Sequence, residues 1–446
     1  MLPAAGVDDF SAGVSPRASR VSYGWWVVLS GTALMTLVGA LSYYGMGVFF
    51  NALRDDLGWS AAALGAALSL ARIQGGVLAP VVGVIIDRYG PRKLMIVGVA
   101  MTGAGFILLG QTMSLIYFYI VFIILVQGGI SAGMGNAPSS AIVYWFEQRR
   151  ATALGVMQLG ISFGGILAKP LAEVITAFGW RTAFVLGGFI VWIVGLPLAF
   201  VVRRPRAGDL VEGAPYDPEP EATQAVAGQR GAAETASATE EAEFSPRRAL
   251  RTKAFWSIAL MFAARHFVTG SVALFLIPLL EERDMSLTDA ATILSLMAFI
   301  GMPGRVGFAW LGDRIDKRVV IGMCLIFQSA GLILFTAFEG TVGIVAFLIL
   351  YSPTYSGVLP LIPALQVDYF GRRWFATISG MMAPVTTVSV VAGPIFVTTI
   401  RDATGSFQPA FVALAVVNVL ALVFVVITRR PSLAPGRALG APALDG

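Results

Sequence analysis

The stretch Gly83–Lys93 reads GVIIDRYGPRK and joins two long apolar segments through a very short, strongly charged loop. A shorter version, WLGDRIDKR, occupies Trp310–Arg318, about half the chain further on. In both versions an Asp-Arg pair follows an apolar segment, and more basic residues come after it. Two copies at this separation predict a protein built from two similar halves.

The composition is that of a membrane protein. Of the 446 residues, 57% are hydrophobic and 13% are charged, and the mean hydropathy is +0.77. Soluble domains carry about 25% charged residues, and the apolar residues here form uncharged runs long enough to cross a bilayer core. We therefore predict an all-α membrane protein with twelve transmembrane helices in two pseudo-symmetric six-helix bundles.

The predicted helices divide the chain into two bundles with a polar segment between them. Residues 23–202 form the N-terminal bundle and residues 254–428 form the C-terminal bundle. Residues 203–253 are rich in Ala, Glu, Gly and Pro and poor in aromatic residues, which predicts a disordered linker. Residues 1–22 and 429–446 are polar tails, and the first of them lacks the apolar core of a signal peptide.

The distribution of basic residues predicts the orientation. With twelve spans, 23 of the 31 Lys and Arg residues fall on the side of both tails, and 4 fall in the loops of the other side. Positive charge concentrates on the cytoplasmic side of membrane proteins. The sequence therefore predicts a multi-pass plasma-membrane protein with both termini and the linker in the cytoplasm.

The sequence lacks the residues that several classes of function require. The only cysteine is Cys324 and the only histidine is His266, so an intrachain disulfide and a multi-His metal site are excluded. We find no Gly-rich phosphate loop and no nucleophile constellation, and we predict no enzymatic activity, no metal and no cofactor. The pI of about 9.4 reflects the topology signal and does not indicate a nucleic-acid partner.

Four cationic side chains lie inside predicted spans: Arg72, Lys169, Arg265 and Arg305. Each costs at least ~2.5–3.5 kcal/mol to insert and is expected to face a cavity. The only embedded acid, Glu173, lies one helical turn after Lys169. Unbalanced positive charge predicts that a mobile anion binds there, and the arginine guanidinium forms bidentate hydrogen bonds with carboxylates. We predict that all four cations contact a small organic anion.

Each cation also has a simpler interpretation. Arg305 lies close to the end of its span and would pair with Asp313 or extend its head group to the interface. Lys169 would only neutralise Glu173, as an i,i+4 pair. His266 would be a hydrogen-bonded packing residue, although its ordinary pKa also suits a proton relay.

Uncharged polar residues complete the predicted substrate pocket. They are Tyr43, Tyr44, Asn136 and Tyr355, with Gln158 and Tyr351 as further candidates. Pro353, Pro360 and Pro363 interrupt the tenth span, and such breaks are tolerated where they line a cavity or are buried in protein. Core packing is the alternative for each of these side chains.

The chain resembles the major facilitator superfamily over nearly its whole length, on the two charged loops quoted above. Tyr23-Gly24-Trp25-Trp26, Tyr144-Trp145-Phe146 and Phe178-Gly179-Trp180-Arg181 resemble the branch of monocarboxylate transporters and oxalate/formate antiporters. This resemblance implies a secondary transporter that works by alternating access. Arg305 matches the position of that branch's substrate-binding arginine.

The resemblance also implies a gate. In the family this loop holds the two halves together in the outward-open state and releases them in the inward-open state. The residues that match it are Gly83, Asp87, Arg88, Gly90 and Arg92 in the first copy, and Asp313 and Arg314 in the second. Asp87, at the end of its helix, needs a partner, and Arg88, Arg92 or the N-terminus of a neighbouring helix would serve. The alternative is that these charges only anchor the topology.

Two positions depart from the branch. Gly301 stands where the animal members carry an aspartate for proton coupling, and the eleventh span has no lysine, which oxalate exchangers use. We predict a monomeric transporter of small organic anions, mono- or dicarboxylates, working by proton symport or anion exchange in the lipid bilayer. The alternative is a proton-coupled efflux pump for drugs or hydrophobic metabolites, for which only Glu173 is available as an embedded acid.

Overall fold

The computed structural model describes residues 22–205 and 244–431. The predicted N-terminal tail, most of the predicted linker and most of the predicted C-terminal tail lie outside these residues. Nearly all regular secondary structure in the two described ranges is helical.

Eleven helical stretches of the described chain are long and apolar enough to cross a membrane. One of them, Arg150–Val201, has 52 residues, which exceeds twice the bilayer core at about 1.5 Å of rise per residue. It is interrupted at Gly179, where φ is 81° and ψ is 158°. Such a backbone conformation is open to glycine. The stretch is therefore two crossings, and the twelve predicted helices are present.

We number the membrane helices in chain order. They are α1 Tyr23–Leu57, α2 Ala61–Tyr89, α3 Pro91–Leu109, α4 Leu115–Trp145, α5 and α6 before and after Gly179 within Arg150–Val201, α7 Lys253–Glu281, α8 Leu287–Gly312, α9 Lys317–Ala337, α10 Thr341–Phe370, α11 Phe375–Thr404 and α12 Gln408–Ile427. Helices α1–α6 form the N-terminal bundle and α7–α12 the C-terminal bundle.

Two helices of the N-terminal bundle contain wide, π-helical turns. These turns are Gly39–Tyr43 in α1, and Val121–Gln127 and Ile130–Asn136 in α4. Single π-turns recur at functional sites because the extra residue redirects the side chains of the helix. Here two of the turns end on Tyr43 and Asn136, both of which the sequence placed in the substrate pocket.

The end of the predicted linker is ordered, which corrects the prediction of disorder up to Lys253. Phe244 is buried, and its ring meets that of Phe370 edge-on at 5.9 Å. A short helix, Pro246–Leu250, follows and is capped by Ser245. The composition of the segment gave no sign of this order. It is averaged over the whole segment, whereas the order beside Phe244 depends on one aromatic side chain and its apolar partner.

Glycines bring α2 against α11 and α5 against α8. A methyl group at Gly83 would overlap the main-chain carbonyl of Ala376, and one at Gly380 would overlap that of Ala79. A methyl group at Gly155 would lie 3.1 Å from the carbonyl oxygen of Arg305. Small residues allow this approach of helix backbones in a membrane. The two halves therefore meet through two equivalent helix pairs.

Candidate functional site

The first charged loop binds the other bundle through Asp87. Its Oδ2 accepts hydrogen bonds from the main-chain N–H of Thr377 at 2.7 Å and from the Thr377 hydroxyl at 2.6 Å, and Oδ1 accepts from the N–H of Ala376 at 3.3 Å. These donors lie in the first turn of α11, where free N–H groups favour an anion. Of the three expected partners, the helix N-terminus is the one observed.

The second charged loop repeats the arrangement. The carboxylate of Asp313 accepts hydrogen bonds from the N–H groups of Ala151 at 2.9 Å and Thr152 at 2.8 Å, at the start of α5. Each bundle thus caps a helix of the other with an aspartate. We call the end of the molecule that holds Asp87 and Asp313 the signature side, and the other end the opposite side.

Three arginines of the predicted gate stack on aromatic rings of their own bundle. They are Arg88 over Tyr89 at 5.5 Å, Arg92 over Phe200 at 5.3 Å and Arg314 over Trp310 at 3.6 Å. Such cation–π contacts fix the orientation of the loops more than they join the bundles. Gly90 has a φ of 88° and begins α3, which explains the glycine before the proline.

Ion pairs between the bundles add to the contact, and the sequence did not predict them. Arg150, which is buried, binds Asp368 of the other bundle at 3.1 Å. Lys317 lies in the same bundle as Asp368 and holds that carboxylate at 2.7 Å. Arg372 binds Glu147 at 2.6 Å. The signal was present, because Phe370–Arg373 repeats Phe146–Arg150 in the other half.

Within the described residues, the hydrogen bonds and ion pairs that join the bundles lie between Arg305 and the signature side. The structure is therefore a state that is closed on the signature side.

Arg305 lies at the inner end of this contact. This residue is 7% exposed. Its Nε donates to the Ser356 hydroxyl at 3.0 Å. Its Nη1 donates to the main-chain carbonyl of Gln158 at 2.6 Å and to Ser162 Oγ at 3.5 Å. Nη2 has no hydrogen-bond partner in the described part of the chain, and it is not sealed from solvent. The predicted pairing with Asp313 is wrong, because that carboxylate caps α5.

Arg265 is held more tightly than Arg305. It is 2% exposed; Nη2 donates to the main-chain carbonyl of Tyr355, and Nη1 lies 3.1 Å from Nδ1 of His266. A guanidinium only donates, so Nδ1 is the acceptor and the imidazole is neutral. This arrangement assigns His266 a packing and orienting role beside Arg265. Nε of Arg265 is buried without a partner in the described residues.

Tyrosines surround the two arginines. Tyr43, Tyr44 and Tyr355 interact electrostatically with Arg305, and Tyr355 stacks on Tyr351 at 5.8 Å. Tyr43 is 69% exposed and meets Tyr44 at 5.4 Å. The structure thus brings together five of the eight predicted substrate residues.

The other three predicted substrate residues lie elsewhere. Arg72 is exposed on α2, on the same helical face as Gly76 and one turn closer to the opposite side. Lys169 and Glu173 are both exposed, and the ion pairs of the described residues do not include them, so the expected pair is not formed. Asn136 lines a cavity between Arg305 and the signature side.

The site carries uncompensated positive charge. In the described part of the chain, the groups that interact electrostatically with Arg305 and Arg265 are tyrosines, Cys324 and each other, and none is an Asp or Glu. In the same residues, no group of three His, Cys, Asp or Glu side chains is placed to hold a metal ion. Arg305 therefore keeps one guanidinium nitrogen without a hydrogen-bond partner among the described residues.

The family is settled by comparison with known proteins. The family model described as Major Facilitator Superfamily matches residues 32–394, most of the chain. The chain belongs to the major facilitator superfamily. Members of this superfamily are transporters and not enzymes, so this facilitator is a transporter too.

Its relatives include carriers of organic anions. The facilitator is 25% identical to the "Oxalate:formate antiporter" of Oxalobacter formigenes, over 83% of each chain. It is 26% identical to the "4-hydroxybenzoate transporter PcaK" of Pseudomonas putida, covering 91% of this chain and 92% of that one. It is 22% identical to "Monocarboxylate transporter 12-B" of Danio rerio, covering 87% and 83%.

Solved structures confirm the fold. The facilitator superposes on FucP in the outward conformation with a TM-score of 0.68 at 17% identity, covering 91% of this chain and 99% of that one. It superposes on the human organic anion transporter MFSD10 with a TM-score of 0.67 at 15% identity, covering 90% and 98%. The predicted fold, two six-helix bundles, is confirmed.

Proposed function

We propose that this facilitator moves small organic anions, carboxylates in the first place, across the plasma membrane by alternating access. One observation carries the proposal. Arg305 is buried between the bundles, is not compensated by an acid in the described residues and keeps Nη2 free of protein partners. A buried charge without a counter-charge is costly, and an anion in the site reduces that cost.

The tyrosines support a carboxylate as this anion. Phenol hydroxyls of Tyr43, Tyr44 and Tyr355 lie within electrostatic range of Arg305 and supply neutral hydrogen-bond donors. The names of three relatives, which carry oxalate and formate, 4-hydroxybenzoate and monocarboxylates, agree with this chemistry.

The position of Arg305 connects substrate binding to the bundle contact. Its guanidinium, from α8, bonds the Gln158 carbonyl and Ser162 of α5. A carboxylate bound at Nη2 draws the guanidinium toward itself and competes with these acceptors. Hydrogen bonds to charged groups are worth ~1.5–3 kcal/mol each, so this competition weakens the inner end of the contact that closes the signature side.

The coupling is either proton symport or anion exchange. An acid at position 301 would be crowded in this state, because a Cβ at Gly301 would lie 3.1 Å from the Ser352 carbonyl oxygen and 3.2 Å from the Tyr355 ring, and these neighbours would have to shift. We place both termini in the cytoplasm and treat the protein as a monomer.

Transport of labelled carboxylates into proteoliposomes tests the proposal. We expect uptake of at least one mono- or dicarboxylate, and at least a tenfold loss in Arg305→Gln. Arg247→Gln, which removes an exposed arginine of the short helix, is the matched control and keeps its uptake. Equal uptake by the wild type and Arg305→Gln would overturn the proposal.

A further inference from the structure

A cavity of about 220 Å³ lies between the bundles, on the signature side of Arg305. Both bundles line it with uncharged polar side chains. They are Asn136, Ser139, Ser140 and Gln158 of the N-terminal bundle, and Gln366, Ser379 and Thr386 of the C-terminal bundle. The described residues that line it include no Lys, Arg, Asp or Glu. Unlike the Arg305 site, this cavity offers hydrogen bonds without charge.

Three of these side chains are amides whose hydrogen-bonding capacity is largely unused. Gln366 is 2% exposed; its Oε1 has no partner in the described part of the chain, and its Nε2 reaches only Sδ of Met382 at 3.0 Å. The side chains of Asn136, which is exposed, and Gln158, which is half-buried, make no hydrogen bond within the described residues, so Gln366 is the buried amide of the three. A buried polar group without a partner costs ~1–3 kcal/mol, so a ligand that pairs with Gln366 regains free energy.

Gln158 links this cavity to the anion site. Its main-chain carbonyl accepts the bond from Arg305, while its side chain lines the cavity. A molecule held by its carboxylate at Arg305 therefore has the cavity within the reach of a small molecular body. The volume is below the ~300–1,000 Å³ of pockets for drug-sized ligands, which restricts that body to about a single ring or a short chain beyond the carboxylate.

We infer that the cavity receives a hydroxyl group of the substrate, so that the transported anions are hydroxylated monocarboxylates. This inference rests on the proposed function. A hydroxyl both donates and accepts, and amides offer both partners. A second carboxylate would lie among uncharged groups and would exchange part of its hydration for neutral partners, without a counter-charge. An apolar body would leave the amide oxygen of Gln366 unpaired.

Two matched sets of acids test the inference on the purified full-length protein. One set is benzoate, 4-hydroxybenzoate and terephthalate; the other is hexanoate, 6-hydroxyhexanoate and adipate. In each set the body stays the same while the far end is apolar, hydroxylated or ionised. We expect the hydroxylated acid to bind at least fivefold more tightly than both of the others in at least one set, measured by calorimetry.

A variant of the cavity assigns the preference to its amide. Gln366→Leu keeps the size of the side chain, and we expect it to lose the hydroxyl preference and to bind the parent acid at least as tightly as the wild type does, because no amide oxygen is left unpaired. Gln328→Leu, which changes another buried amide of the C-terminal bundle outside the cavity lining, is the control and keeps the preference.

The outcomes separate the two proposals. Equal binding of the parent and hydroxylated acids in both sets, with both abolished in Arg305→Gln, would overturn the cavity inference and leave the anion proposal standing. Tighter binding of the dicarboxylates would overturn it as well. If none of the six acids binds, the anion proposal fails and the cavity inference fails with it. The comparison of acids uses the wild-type protein. It therefore tests the cavity inference even if Gln366→Leu does not fold.

Discussion

Arg305 in α8 donates a 2.6 Å hydrogen bond to the main-chain carbonyl of Gln158 in α5. The acceptor belongs to the backbone, so this link between the bundles depends on the donor side chain alone. The same guanidinium keeps one nitrogen free for an anion. One residue therefore takes part in both the bundle contact and the proposed substrate site, and its substitutions affect both.

The substitution Arg305→Lys separates charge from geometry. A lysine ammonium keeps the positive charge but lacks the planar fork that reaches Ser356, the Gln158 carbonyl and an anion together. We expect the KM for the transported carboxylate to rise about 10- to 100-fold, which corresponds to losing one hydrogen bond to a charged group. Uptake kinetics in proteoliposomes measure this.

Ser356→Ala is the companion variant for Arg305→Lys. It removes only the acceptor of the Nε bond, and we expect a smaller rise of the KM, about twofold to tenfold, because Ser356 orients the guanidinium and does not itself pair with the anion. A KM in Arg305→Lys equal to that of the wild type would show that the guanidinium geometry has no part in binding.

Asp87→Asn tests the gate. The amide keeps the shape of the carboxylate but loses the negative charge that faces the N-terminus of α11, and such charges contribute ~0.3–1 kcal/mol or more when partly buried. We expect the bundles to separate more often on the signature side. Ser379→Cys, beside this contact, should then react several-fold faster with a membrane-impermeant thiol reagent added on that side.

Asp316→Asn is the matched control for the gate. Asp316 lies on the same side and caps α9 of its own bundle, where it accepts from the N–H of Arg318 at 2.9 Å. The bonds of Asp316, including its ion pair with Arg318, stay within one bundle, so the labelling rate of Ser379→Cys should not change. The single native cysteine, Cys324, is buried and gives little background. If Ser379→Cys is labelled at the same rate in Asp87→Asn as in Asp316→Asn, Asp87 has no gating role.

Gly83→Ala tests the close approach of α2 and α11. The added methyl group overlaps the Ala376 carbonyl in this closed state, so it raises the free energy of the closed contact. We expect faster labelling of Ser379→Cys and slower uptake. Gly47→Ala and Gly270→Ala meet nothing within 4 Å and serve as controls. Wild-type labelling in Gly83→Ala would show that the approach is not needed for closure.

The sequence predicted the fold because hydropathy and the repeated loop are local signals. Long apolar runs need no knowledge of their neighbours, and two copies of one motif reveal the symmetry. Arg305 was found for a similar reason, since a cation within an apolar run is conspicuous and costly. Its true partners, Ser356, Ser162 and the carbonyl of Gln158, were not predicted, because they depend on how two bundles pack.

The side-chain pairs that were predicted from spacing along the sequence are not formed in the structure. Lys169 and Glu173 are one turn apart but exposed, and such a pair in water is worth only ~0.2–0.5 kcal/mol, too little to hold two flexible side chains together. The carboxylate of Asp313 binds the start of α5 in place of Arg305. An anion at a helix N-terminus reaches several N–H donors at once, and spacing within one helix gives no sign of them.

The pair of Arg372 and Glu147 allows a charge exchange across the bundles. Its atoms lie 2.6 Å apart, and both side chains are partly exposed, so the pair contributes about 0–1 kcal/mol. In Glu147→Arg two cations face each other, and Ser379→Cys labelling should rise about two- to fivefold. The double variant Glu147→Arg/Arg372→Glu restores an opposite-charge pair and should return the rate to that of the wild type. Reversing the second charge removes any repulsion between the bundles. If the double variant is still labelled faster than the wild type, the effect of Glu147→Arg therefore arises within its own loop.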